Sequence, residues 1–372
     1  MRYLGLILCV AALSLTACGG GGMRGQTAED GKGILHVYNY SDYIAPDAIA
    51  NFTKQTGISV VYDVYDSDEI LETKLLAGSS GYDVVVPTLN FFGRQVQAGV
   101  FHPLDKSKIP NLGNLHPGVM QRVAEHDPGN RFGVPYMIGT TGIGYNVDKL
   151  KEAFGSTDIA NTWDLIFKPE NIAKMKDCGI TVLDTPADMI PIALNYLGED
   201  PHSADPAVIE KAVALLKKIR PYVQNFHSSQ YVASLANGNT CLVVGWSGDI
   251  IQARDRAKEA GNGVDIRYSI PREGTAEWYD ILAIPNDAQH PDSAYAFINY
   301  LLTPEVAAEN TNHIHYANPV PKSMAMVNES IRNDPGIYPS SEIAEKMFTY
   351  SVNSPEVDRL YTRLWSDIKT RR

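Results

Sequence analysis

Apolar and polar positions alternate with two different periods from Gly33 onward. The runs ILHVYNY, ISVVYDVYD and YDVVVPT are apolar or alternate with period two, which predicts strands. The runs PDAIANFTKQTG, DEILETKLLAG and FFGRQVQAG follow them in turn and have a helical period. Pro46 stands where a first helical turn tolerates proline, and Gly57 and Gly78 stand where helices end. This βαβαβα order predicts a mainly parallel sheet with helices on both faces.

A second run of the same kind begins near GIGYNVDKL. It contains the predicted strands ITVLDTP and TCLVVGW and, between them, the amphipathic helix DPAVIEKAVALLKKI, for which Asp205 is the expected N-cap. The segments IRYSIP and WYDILAIP predict further strands, and SAYAFINYLL and SEIAEKMFTY predict the closing helices. The pattern therefore predicts an α/β fold of two lobes.

Strand-like crossings near residues 140 and 260 are expected to join the lobes. They divide the chain into a first lobe of residues 33–140 and 262–318 and a second lobe of residues 141–261 and 319–372. Glycines are frequent in the segments 139–144 and 261–263. We therefore expect the two lobes to rotate about these segments.

The N-terminal segment has the features of an export signal. Residues 1–17 combine a short basic start, an apolar run too short for a permanent membrane anchor, and small residues. Residues 15–18 resemble a bacterial lipobox, in which Cys18 is acylated; the alternative is an ordinary cleaved signal with a chance cysteine. Residues 18–32 are then expected to act as a flexible tether. The segment predicts a periplasmic protein that contacts the membrane through a lipid anchor or not at all.

Composition narrows the class of partner. The chain has 372 residues, which is long for one hydrophobic core, and 43 acidic against 32 basic residues give a formal net charge of -11. This charge disfavours nucleic acid and suits cationic partners, although surface acidity also serves solubility alone. Beyond the N-terminal segment the cysteines are Cys178 and Cys241. An even count in an exported chain favours a disulfide, and two buried free thiols are the alternative.

Aromatic, hydroxyl and carboxyl residues recur where the predicted strands begin or end. They are Tyr40, Ser41, Asp42 and Tyr43 after the first strand, Thr88 after VVVP, Asp184 and the nearby Asp188 after ITVL, Trp246 and Asp249 after LVVG, and Trp278 and Asp280 at the start of a later strand. Ligands of open α/β sheets bind outside the carboxyl ends of the strands, so these side chains are expected to meet in one cleft. The alternative for single residues is rim packing or helix capping.

The chemistry of this set selects a class of ligand. Aromatic faces pack against CH2 groups and attract cations, and carboxylates accept hydrogen bonds from ammonium groups. A ligand that uses both is a flexible chain with amines at its ends. The sequence therefore predicts a cleft for a linear polyamine.

Longer motifs extend this interpretation. The segments YNYSDYIAPD, KLLAGSSGYDVVVP, HDPGNRFGVPYMIGTTGIGYNVDKL, FHSSQY, LANGNTCLVVGWSGD and YANPVPKS together resemble the bacterial polyamine receptors, of the putrescine and spermidine type, that serve ABC importers. The resemblance covers nearly the whole chain after residue 33. It implies a two-lobed type II periplasmic binding protein fold with a hinge, a monomer that delivers its ligand to a membrane permease, and a disulfide between Cys178 and Cys241.

The resemblance also implies a ligand-binding set. Its members are Tyr40, Ser41, Asp42, Tyr43, Thr88, Asp188, Ser228, Trp246, Asp249, Trp278, Asp280 and Tyr316. Four positions depart from the pattern of the putrescine receptors: Tyr40 stands where Trp is usual, Thr88 where Ser is common, Asp188 where Glu commonly binds an amine, and Trp278 where Phe is usual and spermidine receptors carry Trp. The sequence therefore favours putrescine and leaves spermidine as a competitor.

Enzymatic and metal-binding alternatives have weaker support. The chain has no G-x-S-x-G, H-E-x-x-H or G-x-x-x-x-G-K-[ST] motif, so no catalytic residue, cofactor or metal ligand is predicted. A pair of cleft carboxylates would suit a glycosidase, but the general acid lacks an evident apolar pocket. His313 and His315 alternate like strand neighbours but have no evident third metal ligand. The 20 tyrosines leave a ferric-ion receptor on the same fold as the main rival.

Overall fold

The computed structural model describes residues 33–370. The signal of residues 1–17, the tether of residues 18–32 and the acylation of Cys18 lie outside the described residues. The strands are β1 Gly33–Tyr40, β2 Ile58–Tyr65, β3 Val84–Val85, β4 Gly133–Asn146, β5 Ile180–Val182, β6 Asn225–Phe226, β7 Leu242–Trp246, β8 Ile266–Ser269 and β9 Glu277–Ala283. No helix within 33–370 is long and apolar enough to cross a membrane.

Sixteen α-helices connect and cover these strands in the described chain. They are α1 Pro46–Thr56, α2 Asp68–Leu76, α3 Leu89–Gln97, α4 Pro117–Ala124, α5 Val147–Phe154, α6 Asp164–Phe167, α7 Pro169–Ile172, α8 Pro186–Tyr196, α9 Pro206–Ile219, α10 Tyr231–Ala236, α11 Ser247–Ala260, α12 Pro291–Leu301, α13 Pro304–Ile314, α14 Glu329–Arg332, α15 Ser341–Ala344 and α16 Pro355–Thr370. Short 3-10 helices lie at Lys106–Lys108, Pro110–Asn114, Asp158–Asn161, Ala173–Cys178, Arg220–Tyr222 and Pro321–Ala325.

The strands are ordered β2-β1-β3-β9-β4-β7-β5-β6, and β8 also pairs with β4. The pairs β1–β2, β1–β3, β5–β6 and β5–β7 are parallel, as expected for strands joined by helical crossovers. The pairs that involve β4 or β9 are antiparallel. Two large hydrophobic cores lie on either side of this junction, one around β1, β3 and β9 and the other around β5 and β7. The predicted two-lobed α/β fold is confirmed.

Strand β4 belongs to both lobes. Its residues 133–140 pair with β9 in the first lobe, and Thr141 onward pairs with β7 and β8 in the second. The side chains change cores at the same place, because Met137 packs in the first core and Ile143 in the second. The chain therefore crosses between the lobes at Thr140 and Thr141.

The second crossing differs from the sequence prediction, which assigned residues 262–318 to the first lobe. Strand β8 pairs with residues 143–146 of β4, and Ile266 is buried in the second core. The return to the first lobe therefore falls between Ser269 and Glu277. Gly261 instead ends α11 in a left-handed conformation with φ 60°, which is the usual role of a glycine at a helix C-terminus.

Residues 319–370 are shared between the lobes, whereas the sequence analysis assigned 319–372 to the second lobe. Tyr350 packs in the first core and Trp365 of α16 in the second. The predicted helix SEIAEKMFTY is shorter than expected, since only Ser341–Ala344 is helical. Further along this segment, Phe348 forms a β-bridge with Ala276 instead.

The two histidines that were interpreted as strand neighbours lie at a helix end. His313 is in the last turn of α13, and His315 follows it with a left-handed φ of 60°. His315 Nε2 lies 3.1 Å from an oxygen of Asp255. The two imidazoles therefore do not share one strand face, and that prediction was wrong.

Candidate functional site

One cavity between the two cores is lined by all twelve side chains of the predicted set. The first lobe supplies Tyr40, Ser41, Asp42, Tyr43, Thr88, Trp278, Asp280 and Tyr316, and the second supplies Asp188, Ser228, Trp246 and Asp249. Asp184 is not among the lining residues, because its carboxylate accepts hydrogen bonds from Trp365 Nε1 at 2.7 Å and Lys369 Nζ at 2.8 Å on α16. Asp184 therefore does not join the other strand-end residues in the cavity, and its carboxylate instead contacts α16.

Asp280 is the most deeply buried carboxylate of the cavity. It lies on β9 with 1% exposure, and its Oδ2 accepts a hydrogen bond from the hydroxyl of Tyr43. Its Oδ1 has no hydrogen-bond partner within the described residues. Burial raises the pKa of Asp280 well above its usual value, and the carboxylates of Asp68 and Asp188 add to the rise. A buried acceptor without a partner is costly, so this oxygen is suited to a cationic donor from a ligand.

Asp249 is held by two phenols. Tyr231 and Tyr316 donate hydrogen bonds to its two oxygens, each at 2.8 Å. Burial raises the pKa of Asp249 to about 6, and the two phenol hydrogen bonds lower it. The ring of Tyr316 packs against Gly248, where an added Cβ would lie 2.4 Å from a ring carbon. The glycine before Asp249 therefore allows the ring to lie where its hydroxyl reaches the carboxylate.

Asp188 is more fully engaged by the protein than the sequence analysis anticipated. Four groups donate to its carboxylate: the hydroxyls of Tyr350 at 2.5 Å, Thr185 at 2.7 Å and Thr141 at 3.0 Å, and Trp246 Nε1 at 3.4 Å. Burial raises its pKa, and these hydrogen bonds lower it. Asp188 therefore has less acceptor capacity left for a ligand than Asp280 has.

Asp42 lies at the rim of the cavity. Its side chain is 59% exposed and its carboxylate lies 3.2 Å from Arg256 on α11 of the second lobe. Its backbone is left-handed, with φ 55°, a conformation that aspartate tolerates. The structure thus places this carboxylate in an ion pair between the lobes.

Three acidic residues that line the cavity, Asp66, Asp68 and Glu69, were not predicted from the sequence. Asp68 and Glu69 open α2, directly after β2. Asp68 accepts hydrogen bonds from the backbone N–H of Thr88 at 3.1 Å and from its hydroxyl at 2.5 Å. Burial raises the pKa of Asp68 to about 6 and that of Glu69 to about 7. The strand-end rule, applied to VVYDVYDSDE, would have found them, but acidic residues in a first helical turn are common for dipole reasons alone.

Aromatic rings surround the carboxylates. The Tyr40 ring centroid lies 6.1 Å from that of Trp246 in the opposite lobe, and the Trp278 ring lies 5.3 Å from Tyr316. Tyr65 and Tyr350 also line the cavity, and neither was selected from the sequence. Trp278 Nε1 is buried without a hydrogen-bond partner in residues 33–370. The cavity therefore combines an anionic interior with apolar faces on which methylene groups can pack.

The raised carboxylate pKa values make the stability of the ligand-free protein depend on pH. The folded pKa of about 6 for Asp68 and Asp249 exceeds the unfolded value near 4, so the folded state binds more protons. The free energy of unfolding should therefore rise as pH falls through about 6. Asp255, whose pKa is lowered to about 2, loses its stabilising effect only below about pH 4. We expect a higher thermal midpoint at about pH 5.5 than at about pH 7.5; a steady decline over this window would contradict the burial argument.

The sequence profile described as bacterial extracellular solute-binding protein matches residues 47–339. The chain belongs to this family. It is 51% identical over 358 residues to the putrescine-binding periplasmic protein SpuD of Pseudomonas aeruginosa, covering 96% of this chain and 97% of that protein. It is 52% identical over 338 residues to the putrescine-binding periplasmic protein PotF of Escherichia coli, covering 90% and 91%.

Solved structures agree with this membership. A putative spermidine/putrescine ABC transporter protein from Listeria monocytogenes is 30% identical with a TM-score of 0.81, and the match covers 91% of this chain and 99% of that one. The solute-binding protein therefore has the predicted two-lobed periplasmic binding protein fold. The prediction that it is a receptor and not an enzyme is confirmed by the family.

Proposed function

We propose that this solute-binding protein binds a linear polyamine in the cleft between its lobes and delivers it to the permease of an ABC importer. The observation that carries the proposal is the unpartnered, buried Oδ1 of Asp280 within a cavity of carboxylates and aromatic rings. A primary ammonium supplies the positive charge and the donors that such an oxygen needs. The names of the 51% and 52% identical relatives point to putrescine as the first ligand to test.

In this proposal, different carboxylates of the protein bind the two ammonium groups of the ligand. Asp280 and Asp249 are linked through Tyr43 and Tyr316, whose rings lie 5.1 Å apart, and they bind one ammonium. The second is attracted by Asp188 together with Asp68 and Glu69, whose pKa values the negative charge of Asp188 helps to raise. The methylene chain between the ammonium groups packs against the aromatic faces. The rest of the cavity lining is formed by Tyr40, Ser41, Thr88, Ser228, Trp246 and Trp278.

The ferric-ion alternative is disfavoured by the hydrogen bonds of the tyrosines. The hydroxyls of Tyr43, Tyr231 and Tyr316 donate to carboxylates. Burial, together with these acidic neighbours, raises the pKa of Tyr43 and Tyr316 well above 10. An iron site of this type needs phenolates, and here the phenols retain their protons.

The location, oligomeric state and closure of the receptor can also be inferred. We infer a periplasmic monomer whose two lobes close over the ligand by rotation about Thr140–Thr141 and the segment between Ser269 and Glu277. The Asp42–Arg256 ion pair joins the lobes in this arrangement. The signal of residues 1–17 and acylation at Cys18 remain predictions, with the tether of residues 18–32 linking the receptor to the membrane.

Isothermal titration calorimetry of ligand-stripped protein tests the ligand class. Putrescine, cadaverine, spermidine, arginine and a simple sugar are titrated separately. We expect tight one-to-one binding of putrescine and measurable binding of spermidine. Binding of arginine or the sugar with none of any polyamine would overturn the proposal.

Trp278 is expected to favour the longer ligand. Replacing Trp278 by Phe removes aromatic surface without removing a hydrogen bond, since Nε1 has no partner among the described residues. Aromatic contact with a desolvated cation contributes about 1–2 kcal/mol, so spermidine affinity should fall by about tenfold and putrescine affinity much less. Calorimetry of both ligands on wild type and Trp278→Phe measures the ratio. Equal losses of affinity for the two ligands would show that Trp278 contacts both of them alike and that ligand length is recognised elsewhere.

We also propose a disulfide between Cys178 and Cys241. Their Cα atoms are 5.6 Å apart, within the range that a disulfide spans, and they are 63 residues apart in sequence. Closing such a loop stabilises a fold by up to about 4 kcal/mol on the chain-entropy model. Non-reducing mass spectrometry should find the linked peptides, and a reductant should lower the thermal midpoint. A Cys178→Ser/Cys241→Ser variant is the control, because its midpoint should not respond to reductant; two freely alkylated thiols in the exported protein would refute the bridge.

A further inference from the structure

A second group of ligating side chains lies in the first lobe, away from the cleft. His36 is on β1, Asp83 directly precedes β3, and His290 directly precedes α12. His36 is four residues before Tyr40, which corresponds to about 13 Å along an extended strand. None of the three residues lines the ligand cavity. The group is therefore separate from the proposed polyamine site.

The carboxylate at the centre of this group is rigidly oriented. The Asp83 side chain is only 2% exposed. Its oxygens accept backbone N–H bonds from His36 at 2.9 Å, Gln289 at 2.9 Å and His290 at 2.7 Å. These bonds come from the same two segments that carry the imidazoles. The backbone thus fixes the carboxylate between the two histidines before any ligand binds.

Both imidazoles present the same atom to the same carboxylate oxygen. Nδ1 of His36 lies 3.4 Å from Asp83 Oδ2, and Nδ1 of His290 lies 3.1 Å from it. All three atoms lie within 4.8 Å of one another. Zinc–nitrogen and zinc–oxygen bonds of about 2.0–2.2 Å in tetrahedral geometry place neighbouring ligand atoms about 3.3 Å apart. The two imidazole–carboxylate distances, 3.4 Å and 3.1 Å, match this separation, and the two imidazoles are close enough for one ion to contact both.

The two imidazoles of the group are partly exposed to solvent. The side chains of His36 and His290 are 31% and 34% exposed, whereas the carboxylate is covered. A metal ion therefore has an entry path and a position for water as a fourth ligand. Two imidazoles and one carboxylate form a ligand set that suits Zn²⁺ and neighbouring divalent transition metals better than Ca²⁺ or Mg²⁺.

We propose that His36, Asp83 and His290 form a divalent transition-metal site, of the zinc class, on the outer face of the first lobe. The ion would lie between the two Nδ1 atoms and Asp83 Oδ2. It joins β1, the start of β3 and the N-terminus of α12. In sequence, His36 is 47 residues and His290 is 207 residues from Asp83. Because both elements belong to the first lobe, the ion stabilises that lobe and leaves the cleft unchanged.

Zinc titration of chelator-treated protein tests the site. Calorimetry with ZnCl2 near pH 7.5 should show one equivalent bound, and His290→Gln should weaken the affinity by at least about tenfold. His36→Gln should have the same effect while keeping the backbone N–H that holds Asp83. His313→Gln is the matched control, since His313 lies on the same lobe in an acidic recess with Asp47 and Glu309; its zinc affinity should equal that of wild type.

A second readout separates the site from general damage. Zinc should raise the thermal midpoint of wild type and of His313→Gln, and should not raise that of His290→Gln. Putrescine affinity should be the same in all four proteins. Equal zinc affinity in wild type and His290→Gln, loss of zinc binding only in His313→Gln, or no stoichiometric zinc binding would each overturn the proposal.

Discussion

Replacing Asp280 by Asn should reduce putrescine affinity by on the order of 100-fold or more, equivalent to about 3 kcal/mol. The substitution removes the buried charge whose Oδ1 has no partner in the described chain, and it points an amide at the position proposed for the ammonium. The loss should appear for putrescine and spermidine alike, because the end of the cavity that holds Asp280 receives an ammonium from either ligand. Calorimetry on the purified variant measures it.

Asp184→Asn is the matched control for this experiment. Asp184 also follows a strand of the sheet, but it contacts Trp365 and Lys369 and does not line the cavity. Its replacement should leave putrescine affinity unchanged. The ligand-free Asp280→Asn protein should be at least as heat-stable as wild type, because the substitution removes a buried carboxyl that lies near Asp68 and Asp188 and whose Oδ1 has no partner in the described chain. Retention of wild-type affinity by Asp280→Asn would remove the main support for the polyamine site.

Polyamine affinity should fall steeply as the solution becomes acidic. The ligand-free cleft has two carboxyls with a pKa of about 6, Asp68 and Asp249, and one with a pKa of about 7, Glu69. A bound ammonium favours the ionised form, so each pKa falls on binding and protons are released. Ligand amines with pKa near 10 stay charged throughout. Each released proton weakens binding by up to about tenfold per pH unit below the ligand-free pKa.

Between about pH 7.5 and about pH 5.5 the putrescine affinity should therefore drop by at least about tenfold. Calorimetry near pH 6.5 in two buffers of different ionisation enthalpy counts the protons released. Asp249→Asn is the control variant and should release fewer. An affinity that does not change over this range would show that the cleft carboxylates are ionised before the ligand binds, and net proton uptake on binding would contradict the expected fall of their pKa values.

The sequence predicted the convergence of the site because the carboxyl ends of strands lie along one edge of a sheet. Tyr40 and Trp246 come from different lobes, yet the strand-end rule brought both into the set, and their rings lie 6.1 Å apart. The rule failed for Asp184, whose side chain turns to α16, because a rule about strand ends does not specify which way a side chain points. Only the packing of Trp365 and Lys369 decides that direction.

Contacts between residues far apart in sequence account for other features that the sequence did not predict. Tyr350, 162 residues from Asp188, donates the 2.5 Å hydrogen bond that occupies its carboxylate, and no local pattern signals such a contact. The second crossing was predicted near residue 260, with rotation about the segment 261–263, but Gly261 ends a helix. The group of His36, Asp83 and His290 was invisible for the same reason, since its members come from three separate segments.

A crystal structure of the protein with bound putrescine would show directly whether Asp280 binds an ammonium group. We expect one ammonium nitrogen about 2.7–3.0 Å from Asp280 Oδ1 and the methylene chain against the aromatic faces of Trp246 and Trp278. Density for the ligand outside the cleft, or an Asp280 Oδ1 that still lacks an ammonium partner in the saturated complex, would contradict it.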